Sequence, residues 1–388
     1  MKVVSVDVDK RLKIELNKSI NKGDQKGIMN FGEKNDYPQI IEQLVLGSVT
    51  AKSVRDIYAK FLIGEGFEDE SQNLKVIGVD QRGKNVTMYD LLVRCCNDAS
   101  MNNGFYIHTN RKLNGGVTTS RNVPFKNCRF ANTDTQGYTA KIAHSDKWNE
   151  RDFKSKNVAW YPIWTNNEQS LIESVKGYGT IEAYPGQIYF HFLDNQFLYP
   201  LSPFDPVYLD CQTESEIGIF KNNSLRNGLL PKTVMSFAEP PTQEDADKLN
   251  KSIKNWLGAD GDTFLTVTAD INPDTGQIDK STAFAIDKIE TNINDKLFEA
   301  WGAELTNNIR KAAKACPQIL IEYENSKLGS TSGEAIIQAV NFYNSMTKSD
   351  RKGIEQAFKE IYELDFKIKE ISLIQNNGTT NIQPTTGN

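Results

Sequence analysis

The sequence predicts an α+β protein of two or three domains, and three observations lead to that prediction. Its 388 residues are enough for several cores, and 38% of them are hydrophobic, which is typical of folded proteins. Apolar residues recur at helical spacing from residue 36 to 99, whereas short strand-like runs divided by turn residues fill 104–204. A smaller α/β segment then leads into a long helix at 287–315. Helical and strand-rich stretches that are separated in this way are expected of an α+β fold.

The charge balance argues against a protein that binds DNA by neutralising its phosphates. Lysine and arginine number 45 against 50 aspartates and glutamates, a net charge of −5. This excludes a globally basic surface, although it does not exclude a protein that encloses DNA without binding its phosphates tightly. No run approaches the roughly 20 apolar residues of a membrane span, and the N-terminus lacks the apolar core of a signal peptide. We expect a soluble chain with no membrane partner that stays in the compartment where it is made.

The first 99 residues predict an irregular arm followed by three helices. Residues 1–35 are polar, with one alternating run at 12–16. The string Asn35-Asp36-Tyr37-Pro38 predicts a helix start, because aspartate can cap a helix and proline suits its first turn. Two further helices are predicted at 49–62 and 87–99.

Residues 104–204 predict a β-rich region. Strands are expected at 105–109, 123–130, 139–144, 184–192 and 197–199. Three tryptophans and several lysines share the stretch 146–164, a mixture that can stack on nucleic-acid bases. Acidic residues in the same stretch offset most of the positive charge, so core or ordinary surface is the favoured interpretation.

A helix, an α/β segment and the long helix follow. Residues 207–229 have helical spacing and end at an Asn-Gly pair before a proline. Strands are expected at 233–237, 264–268 and about 283–286, with a helix between the first two. The helix predicted for 287–315 would be roughly 42 Å long at 1.5 Å per residue. Its apolar residues recur every fourth position in an oblique stripe that several neighbours can cover: Ile289, Ile293, Leu297, Trp301, Leu305 and Ile309.

The C-terminal part predicts a polar loop, two helices, a strand and a tail. Residues 318–332 are rich in small polar residues, and Thr331 and Glu334 have capping-box spacing. The two helices are expected within 333–364, the second starting at Ser349-Asp350. Alternation at 366–374 predicts a strand, and the Asn/Thr/Gly-rich composition of 375–388 predicts a disordered tail.

No catalytic or nucleotide-binding motif is present. P-loop, dinucleotide-binding, nucleophile-elbow and HExxH strings are all missing. Five scattered cysteines without metal-ligand spacing predict reduced, buried thiols. The three histidines have no acid or nucleophile nearby in the sequence at a spacing that would indicate a catalytic group. Residues 258–262 resemble half of a calcium loop without its later glutamate. We therefore expect neither an enzyme nor a bound metal or cofactor.

From Asn35 onwards the chain resembles the portal proteins of tailed bacteriophages, the ring through which DNA enters and leaves the capsid. The Asn35-Asp36-Tyr37-Pro38 string and the helices that follow it, ending in FLIGEGF at 61–67, are similar to the opening of the portal wing. The string IFKNNSLRNG at 219–228 resembles a first stem helix that runs into the clip. The resemblance covers 35–374 and depends on the order of elements more than on any one string.

The resemblance implies a portal-like architecture with a β-rich wing, an α/β clip insert, long stem helices and a helical crown side. Its parts follow in sequence order: an N-terminal arm at 1–35, the wing domain at 36–206, the first stem helix at 207–231, the clip at 232–286, the second stem helix at 287–316, the tunnel loop at 317–332, the crown-side helices and terminal strand at 333–374, and a disordered tail at 375–388.

The resemblance also implies a structural, non-enzymatic role in the virion. The chain would assemble in the cytoplasm of the bacterial host into a ring homo-oligomer, a dodecamer, at one capsid vertex. Double-stranded DNA would pass through the channel without sequence preference during packaging and ejection. The implied protein partners are the major capsid protein, the terminase large subunit and a head-completion or tail adaptor.

Three groups of residues receive roles on this basis. The DNA-channel loop contains Asn325, Lys327 and Ser330, and Lys327 is expected to meet a DNA phosphate. The stem helix presents a row of side chains to a neighbouring subunit: Ile293, Leu297, Trp301 and Leu305. The clip is represented by Trp256, Asp260 and Asp262.

The clip region is the most acidic part of the chain. Residues 232–287 hold ten acidic and five basic side chains, so the remainder of the chain is neutral. Repeated around a ring, this excess would form a collar that repels the DNA backbone and lets it slide, although an ordinary acidic surface explains it equally well. Two other functions stay open: a different virion component, such as a minor capsid or tail-adaptor protein, and an α+β enzyme, which would cluster perturbed titratable groups in one pocket.

Overall fold

The computed structural model describes residues 27–112, 116–148, 157–226, 233–237, 284–288, 295–322 and 332–373. Most of the expected N-terminal arm, most of the expected clip, the middle of the expected tunnel loop and the C-terminal tail lie outside these residues. The chain forms two units. The first consists of Met1–Cys211 and Thr306–Asn388, and the second is Gln212–Leu305. The second unit is therefore an insert in the sequence of the first.

The first unit begins with helices. Their bounds are α1 Tyr37–Gly47, α2 Val49–Ile63, α3 Glu70–Leu74 and α4 Met88–Asn102. Proline occupies the first turn of α1, as predicted. The Ser48 hydroxyl caps α2 by accepting from the Ala51 N–H, and Thr87 and Asp90 form a capping box at α4. The three helices expected before residue 100 are confirmed.

The described strands of the first unit form three small antiparallel sheets. Their bounds are β1 Val76–Val79, β2 Asn85–Thr87, β3 Gly104–Arg111, β4 Val117–Val123, β5 Cys128–Phe130, β6 Lys141–His144, β7 Ala159–Pro162 and β8 Gln187–Phe192. The sheet orders are β1-β2, β4-β3-β8 and β5-β6-β7. A parallel bridge between Ile163 and Ile188 links the last two sheets. Helix α5, Glu168–Gly177, connects β7 to β8.

Aromatic rings fill the core beside β3. Ring centroids lie 5.0 to 6.5 Å apart within one group: Tyr106, Phe125, Phe130, Phe190 and Phe192. Trp148 is buried as well, and its indole N–H donates to the Asn127 carbonyl oxygen at 2.9 Å. Core packing therefore accounts for Trp148, in line with the interpretation favoured over base stacking.

All five cysteines are reduced thiols and buried, which confirms the prediction. Burial raises the pKa of the Cys316 thiol to about 11 and also raises the pKa values of Cys95, Cys96 and Cys128. Because the thiolate is the reactive form, thiols held neutral in this way are poor nucleophiles.

Two strand predictions in the β-rich region are wrong. The stretch 123–130 contains the end of β4 and all of β5, separated by a 3-10 turn at Phe125–Asn127, because Pro124 has no N–H with which to continue a ladder. Residues 197–199 form bends rather than a strand. Tyr199 serves there as a buried link, since its hydroxyl accepts from the Phe130 N–H and donates to the Met29 carbonyl oxygen, both at 2.7 Å.

The second unit starts within α6, Tyr208–Arg226, and ends within α7, Asp295–Ala312. Between these helices, β9 Thr233–Phe237 and β10 Phe284–Lys288 pair antiparallel. The strand expected at 233–237 is confirmed. The helix expected from Asp287 is wrong at its start, because Asp287 pairs with Val234 in the ladder and the described helix begins at Asp295.

Helix α8, Ser332–Tyr362, is a single element where the sequence predicts two helices. Asp350 resembles a cap in sequence, yet it lies inside the helix and is buried by tertiary contacts. The strand expected at 366–374 is also wrong, because this extended segment makes one bridge, between Ile368 and Phe67. Helices mixed with small sheets nevertheless make the fold α+β, as predicted.

Candidate functional site

Two places in the first unit define the base of the insert. The chain leaves the unit after Cys211 and returns to it at Thr306. Side chains of the first unit bind the chain at both points.

Tyr37 holds the departure point. A 3-10 turn at Asp205–Val207 leads directly into α6. The Tyr37 hydroxyl donates to Asp205 Oδ1 at 3.2 Å and accepts from the Ser202 N–H at 2.9 Å. These residues are buried, and burial together with the Asp205 charge raises the pKa of Tyr37 well above its ordinary value. A neutral hydroxyl is therefore fixed between α1 and the start of α6.

Asn35, the first residue of the same string, organises a buried arginine. Asn35 adopts the left-handed conformation at φ 60°, which asparagine tolerates better than most residues. Its side-chain oxygen accepts from the Phe31 N–H at 3.0 Å and from Arg129 Nε. Arg129 is fully buried and also donates to the carbonyl oxygens of Asn35 at 2.9 Å and Cys128 at 2.7 Å.

Aromatic faces complete the surroundings of Arg129. Its guanidinium lies 5.7 Å from the ring centroids of both Phe31 and Trp148, within the range of a cation–π interaction. Burial lowers the pKa of Arg129. The string that resembles the portal wing opening is thus a structural junction in this chain: asparagine binds the arginine, and tyrosine binds the turn before α6.

Asp350 of α8 holds the return point. After α7, Lys314 and Ala315 both adopt the left-handed conformation, with φ 58° and 53°. Lys314 Nζ pairs with Asp350 Oδ2 at 3.3 Å, and the Tyr58 hydroxyl donates to the same oxygen at 2.8 Å. Left-handed residues other than glycine are unfavourable by themselves, so these contacts fix the direction of the chain after α7.

Two further bonds hold the same turn. The Tyr343 hydroxyl donates to the Ala313 carbonyl oxygen at 2.8 Å, and Arg310 Nε donates to the Cys316 carbonyl oxygen at 3.0 Å. Arg310 lies in the last turn of α7, where a cation suits the helix dipole, and its bond to Cys316 holds the segment that follows the helix. The return point is a closed turn.

Arg351 joins α8 to the rest of this region. It is buried and donates to the Phe61 carbonyl oxygen at 3.0 Å, to Thr347 Oγ1 at 2.7 Å and to the Asn344 carbonyl oxygen at 2.9 Å. It also pairs with Glu370 at 2.7 Å. The end of α2, the middle of α8 and the C-terminal extended segment therefore meet at one guanidinium.

The apolar stripe of α7 becomes more buried towards its C-terminal end. Trp301 is 45% exposed, Leu305 is 8% exposed and Ile309 is fully buried. Leu305, expected at a subunit interface, is thus already covered within a single chain. Trp301 has the exposure that a contact with a neighbouring subunit requires. Leu297 lies within α7.

The other expected site residues lie outside the described part of the chain: Ile293 of the stem, Trp256, Asp260 and Asp262 of the clip, and Asn325, Lys327 and Ser330 of the channel loop. At the start of that loop, Gln318–Leu320 form a 3-10 turn. Gln318 Nε2 donates to Glu322 Oε2 at 2.9 Å.

Sequence reasoning missed the residues that hold the departure and return points. Tyr37 and Asp205 are 168 positions apart, and Tyr58 and Asp350 are 292 positions apart. One sequence by itself contains no signal that joins such pairs. The only local signal is the concentration of polar side chains beside Pro38, which exceeds what a helix start requires.

Two further properties follow from the described residues. They contain no group of three histidine, cysteine or acidic side chains placed to hold a metal ion. No helix among them is both long and apolar enough to cross a lipid bilayer.

Comparison with known proteins gives structural similarities at very low sequence identity. No family model matches the chain, and no curated protein matches it. A structure of the neck of the native gene transfer agent particle, computed with C12 symmetry, has 10% identity and a TM-score of 0.49, covering 86% of this chain and 83% of that chain. The virion of the native gene transfer agent particle has the same identity and coverage with a TM-score of 0.46.

A crystal structure of a HK97 family phage portal protein from Corynebacterium diphtheriae is also similar, with 10% identity and a TM-score of 0.42. The similarity covers 83% of this chain and 93% of that chain.

Proposed function

We propose that this chain is the subunit of a portal-like ring, a structural and non-enzymatic protein of a tailed-phage virion. One observation supports the proposal above all: the insert Gln212–Leu305 begins within one helix and ends within another, and its described strands pair with each other. This is the order of stem helix, clip and stem helix that the sequence resembles. The departure and return points of the insert are held by Tyr37 and Asp350.

The β9–β10 ladder gives the insert a defined closure. Phe237 pairs with Phe284 at the end where residues 238–283 begin and finish. A clip on this base would extend from two paired strands rather than from two separate linkers. Such a base suits a segment that must meet a partner in a fixed orientation.

The proposed ring is a dodecamer at one capsid vertex, through which DNA passes in both packaging and ejection. The excess of acidic side chains in 232–287 would repel the DNA backbone and keep the passage free of tight phosphate contacts. The clip, which contains Asp260 and Asp262, would meet the terminase during packaging and the head-completion or tail adaptor afterwards, while Trp256 would pack inside the clip. The outer surface would meet the major capsid protein.

The segment 317–332 is proposed as the loop in the DNA channel. Asn325, Lys327 and Ser330 belong to a short polar stretch that cannot bury a core of its own, and Lys327 would contact phosphates without base preference. Removing residues 325–330 is expected to leave rings intact and to impair retention of packaged DNA. Normal packaging and retention by this deletion would remove the channel role of the loop.

Ring formation is the property that tests the proposal. The full chain, imaged by negative-stain electron microscopy and weighed by mass photometry, is expected to form rings with a central hole and about twelve times the subunit mass of 43.7 kDa. A wild-type chain that stays monomeric at high concentration would overturn the proposal.

A matched pair of variants locates the interface. Trp301→Glu places a charge on the exposed part of the α7 stripe and is expected to abolish rings, because an unpaired charge at a buried contact is strongly unfavourable. Tyr138→Glu makes the same kind of change at a residue that is 71% exposed in the first unit, and it should leave rings intact. Normal assembly of Trp301→Glu would show that the stem assignment is wrong.

A further inference from the structure

A cleft of about 640 Å³ lies in the first unit, away from the departure and return points of the insert. Its walls come from the turn between β1 and β2, from α4 and β4, and from the strands β6 and β7. The volume is within the roughly 300 to 1,000 Å³ that is usual for binding sites. Its lining is mixed, with slightly more apolar than polar surface, and includes several charged or titratable side chains: Asp80, Arg82, Arg94, Arg121, His144 and Asp146.

Two arginines in this cleft are available for a ligand. Arg94 and Arg121 are exposed, and the guanidinium group of neither makes a hydrogen bond or an ion pair with any residue in the described part of the chain. Arg82 differs from them, because it pairs with Asp80 at 3.2 Å. Asp80 is also satisfied by the N–H groups of Arg82 and Lys84, at 2.8 and 2.9 Å. The charge that is left over in the cleft is therefore positive and belongs to Arg94 and Arg121, with Asp146 as the nearby carboxylate.

The position of Arg121 is set by the sheet. Arg121 lies opposite His108 in the β3–β4 ladder. Burial is the main cause that lowers the pKa values of His108 and His144, and the Arg121 charge lowers both as well. Asp146 acts on the pKa of His144 in the opposite direction. The guanidinium therefore lies near both rings. Of the two histidines only His144 lines the cleft, and at neutral pH it adds hydrogen-bonding atoms to this wall rather than further positive charge.

The wall beside Arg121 is rigid. The Asn122 amide donates to Asp98 Oδ2 at 3.1 Å and to the Tyr106 carbonyl oxygen at 3.3 Å. Tyr161, which also lines the cleft, packs edge-on against His108 with ring centroids 5.0 Å apart. A preorganised wall with unpaired guanidinium groups favours binding, because little order has to be created when the ligand arrives.

Guanidinium groups recognise carboxylates and phosphates through paired hydrogen bonds. Asp146 argues against nucleic acid as the ligand, because duplex DNA presents closely spaced charges along a convex surface and some would meet this carboxylate. Separate carboxylates on an extended peptide can enter the cleft and avoid it. We propose that this cleft binds an acidic segment of a protein partner, with Arg94 and Arg121 as the residues that pair with its carboxylates. This site is independent of the proposed ring and adds a second partner surface on the first unit.

Fluorescence anisotropy with the full chain tests the site. The probes are a fluorescein-labelled peptide of repeating Gly-Glu, a Gly-Gln peptide of the same length, and a fluorescein-labelled DNA duplex, all at low salt. The Gly-Glu peptide is expected to bind the wild type, and the variant with both Arg94→Gln and Arg121→Gln is expected to bind it about tenfold or more weakly, as loss of charged hydrogen bonds implies. Lys60→Gln removes an exposed charge outside the cleft and should change the affinity by less than about twofold.

The measurements distinguish loss of binding from loss of folding, and peptide binding from DNA binding. Both arginines are exposed, so the double variant should melt at the wild-type temperature, and a folding defect would be visible by circular dichroism. Equal binding of the Gly-Glu peptide by wild type and double variant, or no binding by the wild type, would overturn the proposal. DNA binding that depends on these arginines, without peptide binding, would identify a nucleic-acid site and would also overturn it.

Discussion

Tyr37 shows how one hydroxyl can decide the geometry of a distant segment. It bonds two residues of the turn that precedes α6, Ser202 and Asp205, and both are buried. Helix propensity has no bearing on this contact. The position of the turn that precedes α6 therefore depends on a polar contact that must be fully satisfied, since a buried polar group without a partner is unfavourable.

Tyr37→Phe removes that hydroxyl and leaves the ring. The expected result is a loss of about 1 to 3 kcal/mol in the free energy of unfolding, because buried groups of Ser202 and Asp205 lose a partner. Urea denaturation followed by tryptophan fluorescence measures it. Tyr89→Phe is the control, since Tyr89 is 39% exposed and its hydroxyl makes no hydrogen bond to a described residue. Equal effects of the two changes would contradict the role given to Tyr37.

Asp98 is expected to make stability depend on pH. Burial raises its pKa from an ordinary value of 3.8 to about 7, although the amide of Asn122 and the N–H of Phe125 act in the opposite direction. The folded state therefore holds a proton that the unfolded state releases between about pH 4 and pH 7. The contribution of Asp98 to the free energy of unfolding is therefore fully present below about pH 4 and is lost as the pH rises towards 7.

Asp98→Asn removes the charge and should stabilise the protein by about 1 to 3 kcal/mol at pH 8, with little change near pH 4.5. Thermal unfolding at both pH values is the measurement. Glu173→Gln removes an exposed carboxyl and serves as the control. A gain from Asp98→Asn that is the same at both pH values would show that deprotonation of Asp98 is not its cause.

At the scale of elements, the sequence predicts most helices and strands but not all of their ends. α2 follows from its apolar spacing and its glycine stop, so its predicted and observed bounds nearly coincide. α8 differs because Ser349 and Asp350 look like a helix start. Asp350 is used by Tyr58 and Lys314 instead, and a local pattern cannot reveal partners that lie elsewhere in the chain. β10 was expected at about 283–286 and is present at Phe284–Lys288, but its last two residues were assigned to the long helix, since their partners in β9 come about fifty residues earlier.

The packing of α8 against β8 depends on the absence of a side chain at Gly353. A Cβ atom there would lie 2.9 Å from His191 Nε2 and 3.3 Å from Leu193 Cδ2. Gly353→Ala is therefore expected to lower the melting temperature, even though alanine is favoured over glycine in a helix by about 1 kcal/mol.

Gly302→Ala is the matched control for Gly353→Ala. Gly302 lies within α7, and nothing lies within 4 Å of its added Cβ, so the helix preference should raise or maintain the melting temperature. Differential scanning calorimetry of the two variants gives the comparison. Stabilisation by Gly353→Ala would show that α8 and β8 can separate without loss.

For the whole molecule, the order of elements could be predicted from the sequence, whereas the contacts that organise them could not. A helix, an α/β segment and a second helix can each be identified from local patterns, and together they predicted an insert. The bonds of Tyr37, Arg129 and Arg351 join segments far apart in the chain. Only the folded arrangement brings these groups together.

The insert should be separable at the end of its ladder. Because Phe237 pairs with Phe284, replacing residues 238–283 by Asn-Gly would close β9 and β10 as a two-residue hairpin, for which Asn-Gly is well suited. This variant is expected to fold and to form rings, but to lose binding to the packaging motor in a pull-down. Motor binding by the variant would place that contact elsewhere.

A register variant provides the control. Deleting Phe237 as well moves the closure by one residue, and a one-residue slip turns every side chain of a strand to the opposite face. This second variant should therefore unfold at a lower temperature than the first. Identical melting of the two would contradict the observed pairing of β9 with β10.

The five buried cysteines can also report how often each part of the structure opens locally. A thiol reagent in solution can modify each sulfur only while the surrounding structure is open, and the raised pKa of Cys316 slows the chemical step further. Cys211 lies where the chain leaves the first unit, Cys316 lies just after α7, and Cys128 lies within β5. The order in which these sulfurs acquire a label would rank how often each region opens, with no mutation and no attached probe.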